Sequence, residues 1–291
     1  MSTDPAAGPA GGVAFVALDV DGTVLTPDDR IAASTVAAVT EARVRSVRVV
    51  LASSRGPVAL RSIQALLGLR DEWFIGYQGA LVARWVGDEL EVLAETPVDH
   101  ADAREVESRV VAAGLSIGRY IGVRWRVPRL TEAIRREAAL TGERPVVSTV
   151  AENDADAAPH KLAAIAAGDD ETAALRRLAA SLPPTVTSTL SHPHFLEITA
   201  AGVDKASGLR SLLTRLGIPR ARTAAVGDGL NDLGLFGAVA QPIAMGQADA
   251  RVKAAATWVT SSNTQDGVAR ALTRLGLVGP GVWESVRPAA R

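Results

Sequence analysis

Short apolar runs alternate with amphipathic stretches along most of this chain. The first apolar run, Val13 to Leu18, precedes an amphipathic stretch from Ser34 to Arg45 and a second apolar run, Val47 to Ala52. This order predicts a strand, a helix and a strand, a unit that sets two parallel strands in one sheet. A helix from Pro57 to Leu67 and a strand from Trp73 to Tyr77 continue the alternation. We therefore predict an α/β fold built on a parallel sheet.

The pattern changes in the middle of the chain. Two strand-like segments, Ser116 to Ile121 and Val123 to Val127, follow each other closely between helical stretches. The alternation resumes with a strand from Phe195 to Thr199, which we expect to return the chain to the first sheet. This arrangement predicts an α+β domain inserted into the α/β core. The predicted parts are a flexible leader at 1–12, a core at 13–83 and 195–278, the inserted domain at 84–194, and a tail at 279–291.

Two acidic segments follow strand-like runs at opposite ends of the predicted core. They read Asp19-Val20-Asp21-Gly22-Thr23 and Gly227-Asp228-Gly229-Leu230-Asn231-Asp232. Because the carboxyl ends of parallel strands meet at one edge of a sheet, both segments are expected there. The spacing of Asp228 and Asp232 suits one direct Mg²⁺ ligand and one supporting carboxylate. Together the two segments predict a divided site for a metal ion and a phosphate group.

The pair Asp19 and Asp21 has the residue types that phosphoryl transfer requires. One carboxylate can attack phosphorus, while a neighbouring carboxyl group donates a proton to the leaving oxygen and later removes one from water. Gly22 permits a sharp turn directly after the pair. The alternative interpretation is an ordinary turn, since Asp and Gly are common turn residues.

Two further polar side chains are predicted at the same edge of the sheet. Ser53 follows an apolar run, and its hydroxyl could bind a phosphoryl oxygen, although it could equally cap the helix that Pro57 begins. Lys205 opens a helix beside Asp204, which is the better candidate for the helix cap. Its ammonium could neutralise a phosphoryl group, whereas most lysines are solvated surface residues.

Composition narrows the classes of function. A hydrophobic fraction of 47%, a charged fraction of 22% and a formal net charge of −1 are typical of a soluble globular protein. They give no basic surface for nucleic acid, which we therefore exclude as a partner. The chain has no cysteine, so metal ligands must be oxygen or histidine, and oxygen favours Mg²⁺. No signal peptide or membrane span is evident, so we expect a cytoplasmic protein with no membrane partner.

The order of these motifs resembles the haloacid dehalogenase superfamily of phosphatases. The position of the insertion resembles the Cof-type or class IIB branch, whose members carry an α+β cap there. The resemblance implies a Rossmann-like core with a C2B cap that determines substrate specificity. It also implies a Mg²⁺-dependent phosphomonoester hydrolase that acts on a small soluble phosphate, such as a sugar phosphate, through a phosphoaspartate.

The same resemblance implies a role for each site residue. Asp19 would be the nucleophile and a metal ligand, and Asp21 the general acid and base, binding the metal through its backbone carbonyl. Asp228 would complete the protein ligands to Mg²⁺, and Asp232 would support them. The phosphate-binding residues would be Ser53, Lys205 and Asn231. Gln78 and Gln247 depart from the family, where asparagine is common at both positions.

In the predicted cap, Arg124 and Arg126 are candidate substrate contacts because alternation along a strand places them on one face. The alternative is a solvated arginine face backed by a packed Trp125. Two alternatives to hydrolysis also stay open. A phosphomutase or phosphotransferase would use the same phosphoaspartate, and a catalytically silent binding module would use none. The sequence does not specify an oligomeric state.

Overall fold

The computed structural model describes residues 12–149, 152–153 and 157–286, and its strands form two sheets. The strands are β1 Phe15–Asp19, β2 Arg48–Ala52, β3 Phe74–Gly76, β4 Leu81–Val86, β5 Glu89–Glu95, β6 Ser116–Ile121, β7 Arg124–Val127, β8 Pro145–Val147, β9 Lys161–Ile165, β10 Val186–His192, β11 Phe195–Ala200, β12 Thr223–Gly227, β13 Gln241–Ala244 and β14 Trp258–Val259. The helices are α1 Ala33–Val44, α2 Pro57–Leu66, α3 His100–Ala112, α4 Glu132–Thr141, α5 Asp169–Ser181, α6 Lys205–Leu216, α7 Leu233–Ala238, α8 Ala250–Ala255 and α9 Gly267–Arg274. Within the described ranges, no helix has both the length and the apolar character needed to cross a bilayer.

The eight-stranded sheet has the order β14-β13-β12-β1-β2-β3-β4-β5. Its first six strands are parallel, and β4 and β5 complete it in antiparallel pairing. Every residue of β1 is buried, as a parallel strand covered on both faces requires. Val16 and Leu18 pack in the cluster that α1 and α9 join, whereas Phe15 and Ala17 pack in the cluster that α6 joins. The predicted α/β fold is confirmed.

The register of the parallel strands brings the predicted acidic segments together. Asp19 at the end of β1 pairs with Ala52 of β2, so Ser53 follows directly beside it. On the other side, Leu18 pairs with Val226 of β12, two residues before Asp228. All three segments therefore leave the sheet at the same edge, as the sequence predicts.

The six-stranded sheet has the order β10-β11-β9-β6-β7-β8 and is antiparallel except between β7 and β8. One face packs on α3 and α5 through residues that include Val106 and Leu175. The other face contributes Tyr120, Trp125 and Phe195 to the cluster that contains Tyr77 of the core. We call this sheet with α3, α4 and α5 the cap, and its inner face covers the edge of the eight-stranded sheet.

At each predicted boundary of the insertion, one strand lies in a different sheet from the one that the sequence predicted. β11, which we expected to return the chain to the core at residue 195, pairs with β9 and β10 in the cap. β5, which we expected in the insertion, pairs with β4 in the core. The physical reason is the same in both places, because a two-residue turn holds each strand beside its predecessor in a hairpin. An apolar pattern specifies a strand but does not specify its partner, and the division into domains stays a prediction.

The predicted tail contains a core residue. Trp283 is buried, and its indole Nε1 donates a hydrogen bond to Thr273 Oγ1 of α9 at 2.9 Å. A lone tryptophan produces no periodicity, so the sequence pattern did not indicate this packing. The predicted leader at 1–12, apart from Gly12, and the last five residues of the tail lie outside the described residues.

Candidate active site

An ammonium group lies between two buried carboxylates at the carboxyl edge of the core sheet. Lys205 Nζ lies 2.5 Å from Asp19 Oδ1 and 2.7 Å from Asp232 Oδ1. All three side chains are buried, and Lys205 and Asp232 are almost completely so. Unpaired charges at such depth are strongly destabilising, so each of these groups depends on the others. The interpretation of Lys205 as a solvated surface residue is therefore wrong.

The cluster of Asp19, Lys205 and Asp232 contains more negative than positive charge. Burial, followed by the negative charge of Asp232, raises the pKa of Asp19 well above its ordinary value, and Lys205 only partly opposes this. Burial disfavours the Lys205 ammonium, but attraction to Asp19 and Asp232 outweighs burial and raises the pKa of Lys205. Lys205 therefore remains charged, and one ammonium does not compensate the surrounding carboxylates.

Asp228 lies beside the cluster because the Asp232 side chain binds the backbone of the loop that carries Asp228. Asp232 Oδ2 accepts hydrogen bonds from the backbone N–H groups of Asp228 and Gly229, both at 3.0 Å. Thr23 Oγ1 donates to Asp228 Oδ1 at 3.1 Å, and Gln247 Nε2 donates to Asp228 Oδ2 at 3.3 Å. The two acidic segments are thus tied together directly. Gln247, which departs from the family, also donates to the backbone carbonyl of Gly22 and so bridges the two segments.

The carboxylates of Asp19, Asp228 and Asp232 can converge on one cation. Each offers an oxygen, and the three oxygens lie within 4.8 Å of one another. Burial, and then Asp232, raises the pKa of Asp228, which again indicates negative charge without a counterion. Asp232 already accepts from Lys205 and from two backbone N–H groups, so Asp19 and Asp228 are the available ligands. This set of oxygen donors fits Mg²⁺.

The carboxylate of Asp21 lies apart from this cluster and is held by Arg55. Arg55 Nη2 lies 2.6 Å from Asp21 Oδ1, and Arg55 Nε donates to both carboxylate oxygens at 3.0 and 3.1 Å. Half of the Asp21 side chain is exposed, and it lines a cavity together with Asp19. Arg55 therefore holds the Asp21 carboxylate in one orientation at the cavity that Asp19 also lines. The pairing of Asp21 with Arg55 was not indicated by the sequence pattern.

Ser53 lies beside Asp19 at the end of β2 and is buried. Its Oγ accepts a hydrogen bond from the backbone N–H of Arg55 at 3.1 Å, which closes a short turn. The residue that caps α2 is Gly56, and no side chain supplies a capping bond there. Ser53 therefore shapes the loop but does not cap the helix, and no acceptor for its O–H proton is found among the described residues.

Gln78 connects the cap with the acidic loop. Its Nε2 donates to Glu197 Oε2 of β11 at 2.9 Å, and its Oε1 accepts from Asn231 Nδ2 at 3.3 Å. The residue is buried and has a φ of 60°, a left-handed conformation that costs a non-glycine residue about 1 kcal/mol. The longer side chain of glutamine therefore bridges the cap and Asn231, in a backbone conformation that its surroundings impose.

A cavity of about 650 Å³ lies between the core edge and the cap. Asp19, Asp21 and Asp228 line it from the core, and Tyr120, Lys161 and Glu197 line it from the cap. Lys161 Nζ contacts Glu197 Oε1 at 2.9 Å and the Ser54 carbonyl at 3.0 Å. This buried ion pair therefore lies beside the segment that contains Ser53, a predicted phosphate-binding residue. A charged residue within an otherwise apolar strand was the available sequence signal for both Lys161 and Glu197.

The predicted cap contacts Arg124 and Arg126 do not line this cavity. Tyr120 and Trp125 are paired across β6 and β7, and their rings stack with centroids 5.5 Å apart. Because successive side chains of a strand alternate between faces, the two arginines lie on the face opposite Tyr120. The structure favours the alternative interpretation, an arginine face backed by the buried Trp125.

A parallel α/β sheet that gathers aspartates at its edge beneath an inserted cap defines a capped enzyme with a carboxylate-based centre. The sequence profile of the haloacid dehalogenase-like hydrolases matches residues 16–272. The chain therefore belongs to the haloacid dehalogenase-like hydrolase family, and the family that the motifs predicted is confirmed.

Individual proteins show the same relationship. The chain is 28% identical over 265 residues to a Streptococcus pyogenes serotype M6 protein named "Putative phosphatase M6_Spy0533", covering 90% of this chain and 98% of that protein. A haloacid dehalogenase-like hydrolase from Bacteroides thetaiotaomicron superposes with a TM-score of 0.80 at 26% identity, over 90% of this chain and 99% of that one. The subclass IIB sugar phosphatase BT4131 superposes with a TM-score of 0.76 at 24% identity, over 91% and 99% of the two chains, and shares the fold.

Proposed function

We propose that this protein is a Mg²⁺-dependent phosphomonoester hydrolase that acts on small soluble phosphates, such as sugar phosphates, through a phosphoaspartate on Asp19. The observation that carries the proposal is the position of Asp19. Its carboxylate lies at the base of a 650 Å³ cavity, bound to Lys205 at 2.5 Å, with Asp21 in the same cavity. The names of the relatives, which include phosphatases, support the same reaction class.

The proposed reaction has two displacements at phosphorus. A carboxylate oxygen of Asp19 bonds to phosphorus as the bond to the leaving oxygen breaks, and Asp21 gives its proton to that oxygen. Water then attacks the phosphorus of the acyl phosphate, and Asp21 accepts a proton from this water. The bond between phosphorus and Asp19 breaks, which releases inorganic phosphate and restores both aspartates.

The neighbouring residues hold the reacting groups in place. Asp19 and Asp228 would bind Mg²⁺ with the backbone carbonyl of Asp21, and the ion would stabilise charge on the phosphoryl oxygens. Asp232 holds Lys205 and the Asp228 loop in position. In the proposal, Ser53, Lys205 and Asn231 donate hydrogen bonds to the phosphoryl group.

Product analysis with a panel of hexose phosphates tests the proposal. We expect Mg²⁺ to support release of free phosphate in proportion to substrate loss. Addition of EDTA should reduce the rate to background, and excess Mg²⁺ should restore it. Formation of an isomerised phosphate ester without free phosphate would instead indicate a mutase. Substrate binding without turnover would indicate a silent module.

We expect Gly22→Ala to impair the site strongly, because Gly22 lies against Asp228. Its φ is +84°, and a β-carbon there would overlap the Asp228 carboxylate. Displacing this ligand by even 1 Å should lower kcat/KM for phosphate release by about 100-fold. Affinity for Mg²⁺, measured by isothermal titration calorimetry, should fall in parallel.

Gly87→Ala is the matched control for this substitution. Gly87 also has a positive φ, of +61°, but apart from its two chain neighbours no described residue has an atom within 4 Å of the position of its β-carbon. The control should therefore show the backbone strain alone, with a stability loss of about 1 kcal/mol and unchanged kcat/KM. Equal activity in the two variants would contradict the proposed contact between Gly22 and the metal-binding loop.

A further inference from the structure

The cavity above Asp19 carries a surplus of negative charge. Seven carboxylates and three guanidinium or ammonium groups line it. Asp19 and Asp228 belong to the proposed metal site, which leaves five carboxylates facing three cations around the space for the leaving group. The five carboxylates are those of Asp21, Asp29, Glu137, Glu143 and Glu197, and the three cations are Arg55, Arg136 and Lys161.

All three of these cations already have partners. Arg55 binds Asp21 at 2.6 Å, and Lys161 binds Glu197 at 2.9 Å. Arg136 donates hydrogen bonds to two backbone carbonyls at 2.7 and 2.8 Å. A second phosphate or a carboxylate on the substrate would therefore compete with these partners for the three cations and would face the five carboxylates named above.

Glu137 and Glu143 are the two of these five carboxylates that form no ion pair among the described residues. Glu137 lies on α4 and Glu143 two residues after its end, and both are half-buried. Within the described part of the chain, no hydrogen bond or ion pair engages either carboxylate. Burial raises the pKa of both groups, while Lys161 lowers it, which places both within the electrostatic range of that ammonium. They supply acceptor oxygens and negative charge to the cap side of the cavity, where the proposed function places the leaving group.

Lys161 provides the complementary donor. Its side chain is only 6% exposed, and its Nζ contacts Glu197 Oε1 and the Ser54 carbonyl. An ammonium has three N–H donors, so one of them has no oxygen acceptor among the described residues. The hydroxyl-bearing residues Thr141, Thr189 and Ser191 also line the cavity. A hydroxyl group both donates and accepts, so it matches this mixed set of donors and acceptors.

We infer that the cavity selects phosphate monoesters whose leaving group is a neutral polyol or carries an amine, and that Glu137 and Glu143 exclude substrates with a second anionic group. This inference rests on the proposed phosphomonoesterase activity. It identifies these two glutamates as specificity-determining residues, because their charge acts on the part of the substrate that is not transferred.

Two matched substrate pairs test the inference. The wild-type enzyme should favour fructose 6-phosphate over fructose 1,6-bisphosphate, and glucosamine 6-phosphate should be at least as good a substrate as glucose 6-phosphate. In the variant with both Glu137→Gln and Glu143→Gln, the preference of kcat/KM for the monophosphate should narrow by about tenfold. The assays are run at about pH 8, because burial raises the pKa of both carboxyl groups and a higher pH favours their ionised forms.

Glu132→Gln provides the control, because it makes the same kind of substitution once, at an exposed position of the helix that carries Glu137 and outside the cavity. This control should keep the wild-type ratio of kcat/KM between each pair of substrates. Activity toward p-nitrophenyl phosphate, whose leaving group carries no second anion, should be similar in the wild type and in this control. Equal or better turnover of the bisphosphate by the wild type, or unchanged ratios in the double variant, would overturn the inference alone. Absence of phosphate release from every substrate would overturn the proposed function with it.

Discussion

Asp19→Asn is expected to lower the rate of phosphate release by at least about 10⁴-fold. A neutral amide is a poor nucleophile toward phosphorus, so the covalent step is lost. The same change removes one of the two carboxylates available to the metal. Lys205 keeps Asp232 as a partner at 2.7 Å, and the substituted side chain has nearly the same size. The loss of activity should therefore occur without loss of the fold.

Steady-state kinetics with Mg²⁺ and circular dichroism together check this result. The control is Asp29→Asn, which makes the same substitution at a largely exposed residue that also lines the cavity. We expect the control to retain activity within a few-fold, because Asp29 lies 3.7 Å from Arg55 and does not contact Asp19. Full activity in Asp19→Asn would refute the mechanism. Equal losses in both variants would show that charge in the cavity matters more than the nucleophile.

Lys205→Met is expected to lower the free energy of unfolding by about 3 to 5 kcal/mol. Methionine fills most of the volume of lysine but leaves Asp19 and Asp232 buried without their shared counterion. Burial and the charge of Asp232 already raise the pKa of Asp19, and removal of the ammonium takes away the main opposing attraction. The result should be measured by urea denaturation at neutral pH in the presence of EDTA.

Two comparisons make this experiment specific. Lys253→Met changes the charge in the same way on α8, where the side chain is only half-buried, and should alter stability by less than about 1 kcal/mol. Added Mg²⁺ should recover part of the loss in Lys205→Met, since a divalent cation compensates the same carboxylates. A loss as small as that of the control would show that Lys205 does not compensate these aspartates.

The acidic centre could be predicted because it depends on local rules. Asp19 and Asp228 each follow an apolar parallel strand, and such strands end at a common edge. Arg55 and Gln78 lie next to motifs that the sequence made visible, but their partners could not be read from it. Arg55 binds Asp21, and Gln78 binds Glu197 across 119 residues of sequence. The first pair joins the segments after two neighbouring strands of the core sheet, and the second depends on how the two sheets face each other, so no local pattern encodes either.

The sequence by itself determined the parallel core, the edge at which its aspartates meet, the family and the reaction class. These follow from the spacing of apolar residues and from motifs a few residues long, because strand and helix periods act locally. Only the tertiary structure decided that β11 belongs to the cap, that Arg124 and Arg126 face away from the cavity, and that Lys161 pairs with Glu197 beside it. The physical reason is that hydrophobic periodicity specifies which face of a strand is buried, whereas hairpin pairing and the contact between the sheets specify what that face meets.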